Sequence, residues 1–179
     1  MQSAPVAGTP VFSLSPASAS VNAPATTGTI AVTASVATAN WTNVSNATWI
    51  RVPGATNQGH KNVGYSVAAN TSPAGRSGTI TAAGVTFTVT QAGVPCNGSV
   101  GSPAVVPNSA GFSMAFPVTI AAGCTWTATS NQPWLIVTSG ATGNGNGNAV
   151  YEAAANSTGA PRTATVVIAG ITMNITESR

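Results

Sequence analysis

The sequence predicts an all-β protein built of two tandem antiparallel β-sandwiches, and three observations carry the prediction. The first is a duplication: W-T-x-x-S-N-x-x-W-[IL] occurs twice, placing Trp41 on Trp126, Ser45 on Ser130, Asn46 on Asn131 and Trp49 on Trp134, about 85 positions apart. The register lengthens by one near Thr138 or Ser139 and then sets Tyr65 on Tyr151, Asn70 on Asn156, Arg76 on Arg162 and Ala83-Gly84 on Ala169-Gly170. A period this long exceeds the ~20 to 50 residues of solenoid repeats, so each copy is a small domain. The second observation is strict alternation: Val85, Phe87 and Val89 alternate with threonines, and Ile171, Met173 and Ile175 with Thr172, Asn174 and Thr176. Such a period of two buries one face of a strand. The third is that no stretch shows a helical period, while Gly, Pro and Asn separate short β-branched runs.

In order, Met1 to Pro10 has two prolines and no apolar period, and reads as an extended arm outside any core that is expected to lie on another surface. Short strands follow around Phe12-Ser-Leu-Ser, Ala19-Ser-Val-Asn and Thr29 to Ala34. Next come Trp41 to Val44, Trp49 to Val52, a polar loop from Pro53 to Asn62, Val63 to Val67, Gly78 to Thr81 and Val85 to Gln91. The second copy repeats the plan with Phe112 to Ile120, Trp126 to Thr129, Leu135 to Val137, a Gly/Asn loop at Gly140 to Asn148, Val150 to Ala154, Thr163 to Ile168 and Ile171 to Thr176. About seven strands per unit are expected. The domains are then the arm at 1–10, a first sandwich at 11–92 and a second at 95–179, joined by a connection too short to be a free tether.

Composition narrows the function classes. Charged residues are only 4% of the chain, against a usual ~25%. The net charge of +3 comes from five scattered cations and two carboxylates. Nucleic-acid binding needs clustered Lys and Arg, so no nucleic-acid partner is expected. No apolar run reaches the ~18 residues of a membrane span, so no membrane insertion is expected either. Catalysis finds no inventory: Asp is absent, Glu152 and Glu177 are the only carboxylates, and there is no G-x-S-x-G elbow. The chain is read as a non-enzyme with no cofactor.

The order Cys…Cys-x-Trp-x-Ala-x-Ser-x-x-x-Trp-[IL], a Gly-rich loop, Tyr-x-x-x-x-Asn-x-x-x-x-x-Arg and a closing Thr-rich hairpin resembles the BACON domain, an Ig-like β-sandwich module of Bacteroidetes surface proteins and enzymes and of some phage proteins. The resemblance covers residues 11–179 in two units and implies the fold class, all-β with two tandem Ig-like antiparallel β-sandwich domains. It also implies a non-catalytic role, in carbohydrate binding or as a spacer. The first unit keeps the closing Gln91 but lacks both cysteines; the second has the cysteines but closes on Glu177.

Cys96 and Cys124 align with Val11 and Ala39, so both are present in one unit and both absent from the other. Joint presence points to a disulfide, with two buried thiols as the alternative; a metal site lacks ligands, since the single His60 lies in the other unit. The tryptophans are either core packing between sheets or stacking platforms for sugar rings, and Trp49 and Trp134, beside the variable loops, are the better platform candidates. The loops add Gln58, His60 and Lys61 in the first unit and Asn144 and Asn146 in the second as candidate glycan or partner contacts. The Gly140 to Asn148 loop has no carboxylate for calcium and reads as flexible.

Two functions follow as expectations. Met1 in front of Gln2, the arm and the hydroxyl- and amide-rich surface suit a phage virion surface protein, a capsid decoration or tail component, whose expected partners are other subunits of a large assembly and cell-surface carbohydrate of the host. In it Met1, Gln2, Pro5, Val6 and Pro10 touch a neighbouring subunit. The other expectation is a secreted carbohydrate-binding or spacer module, which places the chain outside the cell.

Overall fold

A computed structural model describes residues 8–54, 56–103 and 107–179. Met1, Gln2, Pro5 and Val6 lie outside the described residues, and Pro10 is exposed. Among the described residues all regular structure is strand. In the first unit these are β1 (Phe12–Ser15), β2 (Ser18–Val21), β3 (Thr26–Ala34), β4 (Asn40–Ser45), β5 (Ile50–Arg51), β6 (Thr56–Gln58), β7 (Lys61–Val67), β8 (Arg76–Ala82) and β9 (Val85–Gln91). In the second they are β10 (Ser99–Val100), β11 (Phe112–Thr119), β12 (Thr125–Ser130), β13 (Leu135–Ser139), β14 (Thr142–Asn144), β15 (Gly147–Ala153), β16 (Arg162–Ile168) and β17 (Ile171–Glu177). The chain divides into two compact units between Val94 and Pro95.

Each unit is a sandwich of two sheets. The first pairs β1-β3-β7-β5 with β2-β9-β8-β4-β6; the second pairs β10-β11-β15-β13 with β14-β12-β16-β17. Pairing is antiparallel except where β2 lies parallel to β9. Each alternating strand sends one face into its own core: Ile30, Ile80, Phe87 and Val89 are fully buried in the first unit, and Leu135, Tyr151, Val166 and Ile168 in the second.

Two expected loops contain strands. β6 falls inside the Pro53 to Asn62 loop and pairs with β4, and β14 falls inside the Gly140 to Asn148 loop and pairs with β12. Their sequences carry no apolar alternation because the inward positions are not apolar side chains: in β6 the buried Asn57 donates to Asn43 Oδ1 at 2.8 Å, and in β14 Gly143 lies against the Trp126 ring. Just beyond each strand an indole finds its acceptor, Trp41 Nε1 donating to Gly59 O at 2.9 Å and Trp126 Nε1 to Gly145 O at 2.8 Å. The Gly140 to Asn148 segment is thus a hairpin arm with defined pairing, not a free loop. The added residue near Thr138 appears as a β-bulge where β13 shifts register between Val137 and Ser139. The two-residue hairpins Ala83-Gly84 and Ala169-Gly170 have positive φ at both positions, the mirror-image turn that matches strand twist.

Cys96 and Cys124 form a disulfide with Cα atoms 5.5 Å apart, across a sequence separation of 28. It fastens the segment ahead of β10 to the start of β12, where Cys124 is buried. The first unit closes the corresponding corner without a covalent bond. There Val11 N donates to Ser35 Oγ and Ser35 N to Val11 O, each at 2.9 Å.

Closing this loop is worth roughly 3 to 4 kcal/mol on the chain-entropy model. Cys124→Ala is expected to lower the stability of the second unit by that order and leave the first unchanged, read as two transitions in chemical denaturation; coincident, unshifted midpoints would refute it. A second prediction concerns Tyr151, whose phenol is fully buried and donates to Thr129 O at 3.1 Å. Burial pushes its pKa up to about 12. Because the folded value lies above the unfolded value of about 10, the stabilising effect is complete below pH ~10 and is lost as pH rises toward 12. Tyr151→Phe should remove that alkaline loss from the transition that also shifts on disulfide reduction.

Candidate functional site

The serines and asparagines of the duplicated motif are engaged by hydrogen bonds within each sandwich. Ser45 Oγ donates to Ala47 O and accepts from Ala47 N, and Ser130 makes the same turn with Gln132. Asn46 Nδ2 donates to the hydroxyls of Thr79 and Thr81, while Asn131 Oδ1 accepts from Thr165 N at 2.7 Å. Trp49 and Trp134 are half-buried, and each carries a guanidinium over its ring, Arg76 and Arg162 respectively, at 4.3 Å from the centroid. One face of each indole is therefore occupied by the protein itself. The edge of Trp49 still lines a 580 Å³ groove with Thr26, Thr27, Arg51 and Ser66.

The stacked arginines continue inward. Arg76 Nε donates to Gln91 Oε1 at 2.9 Å, and the fully buried Gln91 amide donates to the carbonyls of Ala23 and Ala68. In the second unit Arg162 Nε meets Glu177 Oε2 at 2.6 Å, and Glu177 is also fully buried. Its other oxygen, Oε1, has no hydrogen-bond partner among the described residues. The carboxylate keeps the arginine contact but cannot donate to carbonyls as Gln91 does.

The loop candidates are exposed yet engaged. Gln58 Nε2 donates to Thr38 O and Asn40 Oδ1, and His60 Nδ1 accepts from Ala34 N at 3.3 Å. Asn144 Oδ1 accepts from Gly123 N, and Asn146 Oδ1 from Ile120 N. Lys61 opens β7 with its side chain in solvent. Gln58, His60, Asn144 and Asn146 thus fasten loop arms to their own sandwich, whereas Lys61 does not.

Sequence reading missed a different surface, the outer face of β3, β7 and β5. Along β7 the residues pointing away from the core are Asn62, Gly64 and Ser66. Gly64 leaves a floor without a side chain; a Cβ there would find its nearest neighbour, Gly28 O, 4.0 Å away. Thr27 and Thr29 stand on one side and Arg51, Val52 and Pro53 on the other, around a trough of 630 Å³. Val44 and Arg51 also border an adjoining groove of 590 Å³. Arg51 is exposed, and its side chain makes no hydrogen bond or ion pair among the described residues, although its backbone pairs with Ser66. A glycine inside a strand pattern, Val63-Gly-Tyr-Ser-Val67, was the available signal.

Two sandwiches with Ig-like layering, one of them disulfide-closed, define a tandem pair of β-modules. Residues 39–92 match the family model BACON, "Putative binding domain, N-terminal", and residues 98–177 match that of the viral BACON domain. The chain belongs to the BACON family, two of its domains in tandem. No curated protein matches it. Among solved structures it is similar to a Bacteroides ovatus GH5 xyloglucanase in complex with a XXXG heptasaccharide, at 18% identity and TM-score 0.42, covering 55% of this chain and 22% of that one. It is also similar to the I9-I11 tandem of titin, at 11% identity and TM-score 0.33 over 94% of this chain and 65% of that one, and to domains 5-6 of the S-layer protein SbsC, at 17% and 0.34 over 95% and 99%. The chain thus spans about a fifth of the xyloglucanase and two thirds of the titin tandem.

The Gln91 and Glu177 comparison makes a prediction about the Arg162 clamp. Glu177→Gln should raise the stability of the second unit by about 1 kcal/mol, since an amide satisfies what the orphaned oxygen cannot, whereas Glu177→Ala should cost several times that. Thermal melts of the two variants decide it; equal losses in both would contradict the argument.

Proposed function

We propose that this chain is a non-enzymatic surface protein of a phage virion, a capsid decoration or tail component built of two binding modules. The observation that supports this most is the match of residues 98–177 to the viral BACON domain. Supporting it are a surface with few charges and a disulfide in the second unit, which suits a protein that works outside a reducing cytosol. Its partners in this reading are the neighbouring subunits, met through the 1–10 arm, and glycans of the host surface, for which the groove beside Trp49 offers hydroxyls and an indole edge.

Particles purified away from free protein are expected to carry the chain in a fixed ratio to their major subunit. A deletion that begins at Val11 is expected to leave both sandwiches folded and to abolish incorporation. Recovery of the chain as a free secreted monomer that binds host polysaccharide, with binding lost in Trp49→Ala, would replace this reading by a secreted carbohydrate-binding module.

A further inference from the structure

We infer that the trough on the first unit receives the matching face of the second unit of another copy of this chain, in a head-to-tail contact. The two faces occupy the same place in the fold, because β3-β7-β5 and β11-β15-β13 have the same order and pairing. At three aligned positions their chemistry is opposed. Gly64 pairs with Thr29 and its counterpart Val150 pairs with Ala115, so the second unit has a branched side chain where the first has a floor. Ser66, which pairs with Arg51, becomes Glu152, which pairs with Ile136. One face is a hollow beside an unpaired cation; the other is a ridge beside a carboxylate.

Three further facts single out a second copy as the occupant. The first unit contains no Asp or Glu, so Arg51 has no carboxylate partner available on its own sandwich. Glu152 is exposed, whereas the other carboxylate, Glu177, is fully buried against Arg162. Ile136, directly across from Glu152, is 52% exposed, one of three large hydrophobics so placed among the described residues. In a chain that is 4% charged, an exposed cation in a hollow and an exposed anion on an apolar ridge are a complementary pair. An acidic saccharide could use Arg51 and the threonine hydroxyls, but it would leave Ile136 and Glu152 without a role.

In the contact, Val150 and Ile136 fill the space above Gly64 and shed water, while Glu152 reaches Arg51 at the margin. Burial of the apolar ridge supplies affinity and the ion pair sets register. Since each copy presents one hollow and one ridge, the contact is heterologous and continues into rings or rows. This inference is independent of the virion reading, because it concerns the purified chain in buffer.

Sedimentation velocity of the full chain over a concentration series tests it. The mass is expected to rise above one chain with concentration. Arg51→Glu and Glu152→Arg should each weaken association about tenfold or more, the equivalent of ~1.4 kcal/mol. Gly64→Leu, which fills the hollow without changing charge, should do the same. Mixing the Arg51→Glu and Glu152→Arg variants should restore association, since each then meets an opposite charge; a folding defect could not be rescued in this way. A mass of one chain at every concentration would overturn the inference. So would self-association that the charge variants leave unchanged, or a monomer that binds polygalacturonate through Arg51.

Discussion

The buried indole of Trp41, with Trp126 as its equal in the second unit, is the constraint on which each sandwich depends. Both rings are only 5% exposed between the two sheets, and their single polar atom must be satisfied inside. The carbonyls of Gly59 and Gly145 do this, and in doing so fix the hairpins β6-β7 and β14-β15 against β4 and β12. Segments that read as open loops are held as sheet extensions because a tryptophan needs an acceptor there. Gln58, His60, Asn144 and Asn146 then secure the same hairpins from outside.

The second pair of tryptophans works at the opposite end of the strand pair, under a guanidinium. Arg76 and Arg162 each cover a ring, bind loop carbonyls and reach a buried residue at the end of the last strand. The clamp ties the closing strand to the turn after β7 or β15. Its two versions differ by one functional group: an amide that both accepts and donates, and a carboxylate that only accepts. The disulfide reinforces the unit that has the less satisfied clamp, and the two features stand at different corners of that sandwich.

Once these networks have absorbed the repeated polar and aromatic residues, what remains without a role in folding is where the units differ. Positions equal in both units are explained by folding: Ser45 and Ser130 by a turn, Asn70 and Asn156 by bonds that join the turn to the chain after the last strand. Arg51 against Ile136, Gly64 against Val150 and Ser66 against Glu152 are not needed by either core. They lie on outward faces of strands whose inner faces match.

The sequence by itself determined the fold class and the two-unit plan, because a duplication and a period of two are written in residue order, and the order of its Cys, Trp, Tyr, Asn and Arg residues carried the resemblance to the family. It also marked Cys96 and Cys124 as a pair and the place of the inserted residue in β13. Only the tertiary structure decided that β6 and β14 are strands, since a polar segment pairs for reasons supplied by a distant indole. Likewise, it alone showed that one face of the Trp49 and Trp134 rings is covered, because Arg76 and Arg162 lie far along the chain and reach them across the sheet. The Arg51 trough was invisible for the same reason: its floor, walls and cation come from three strands that pairing alone brings side by side.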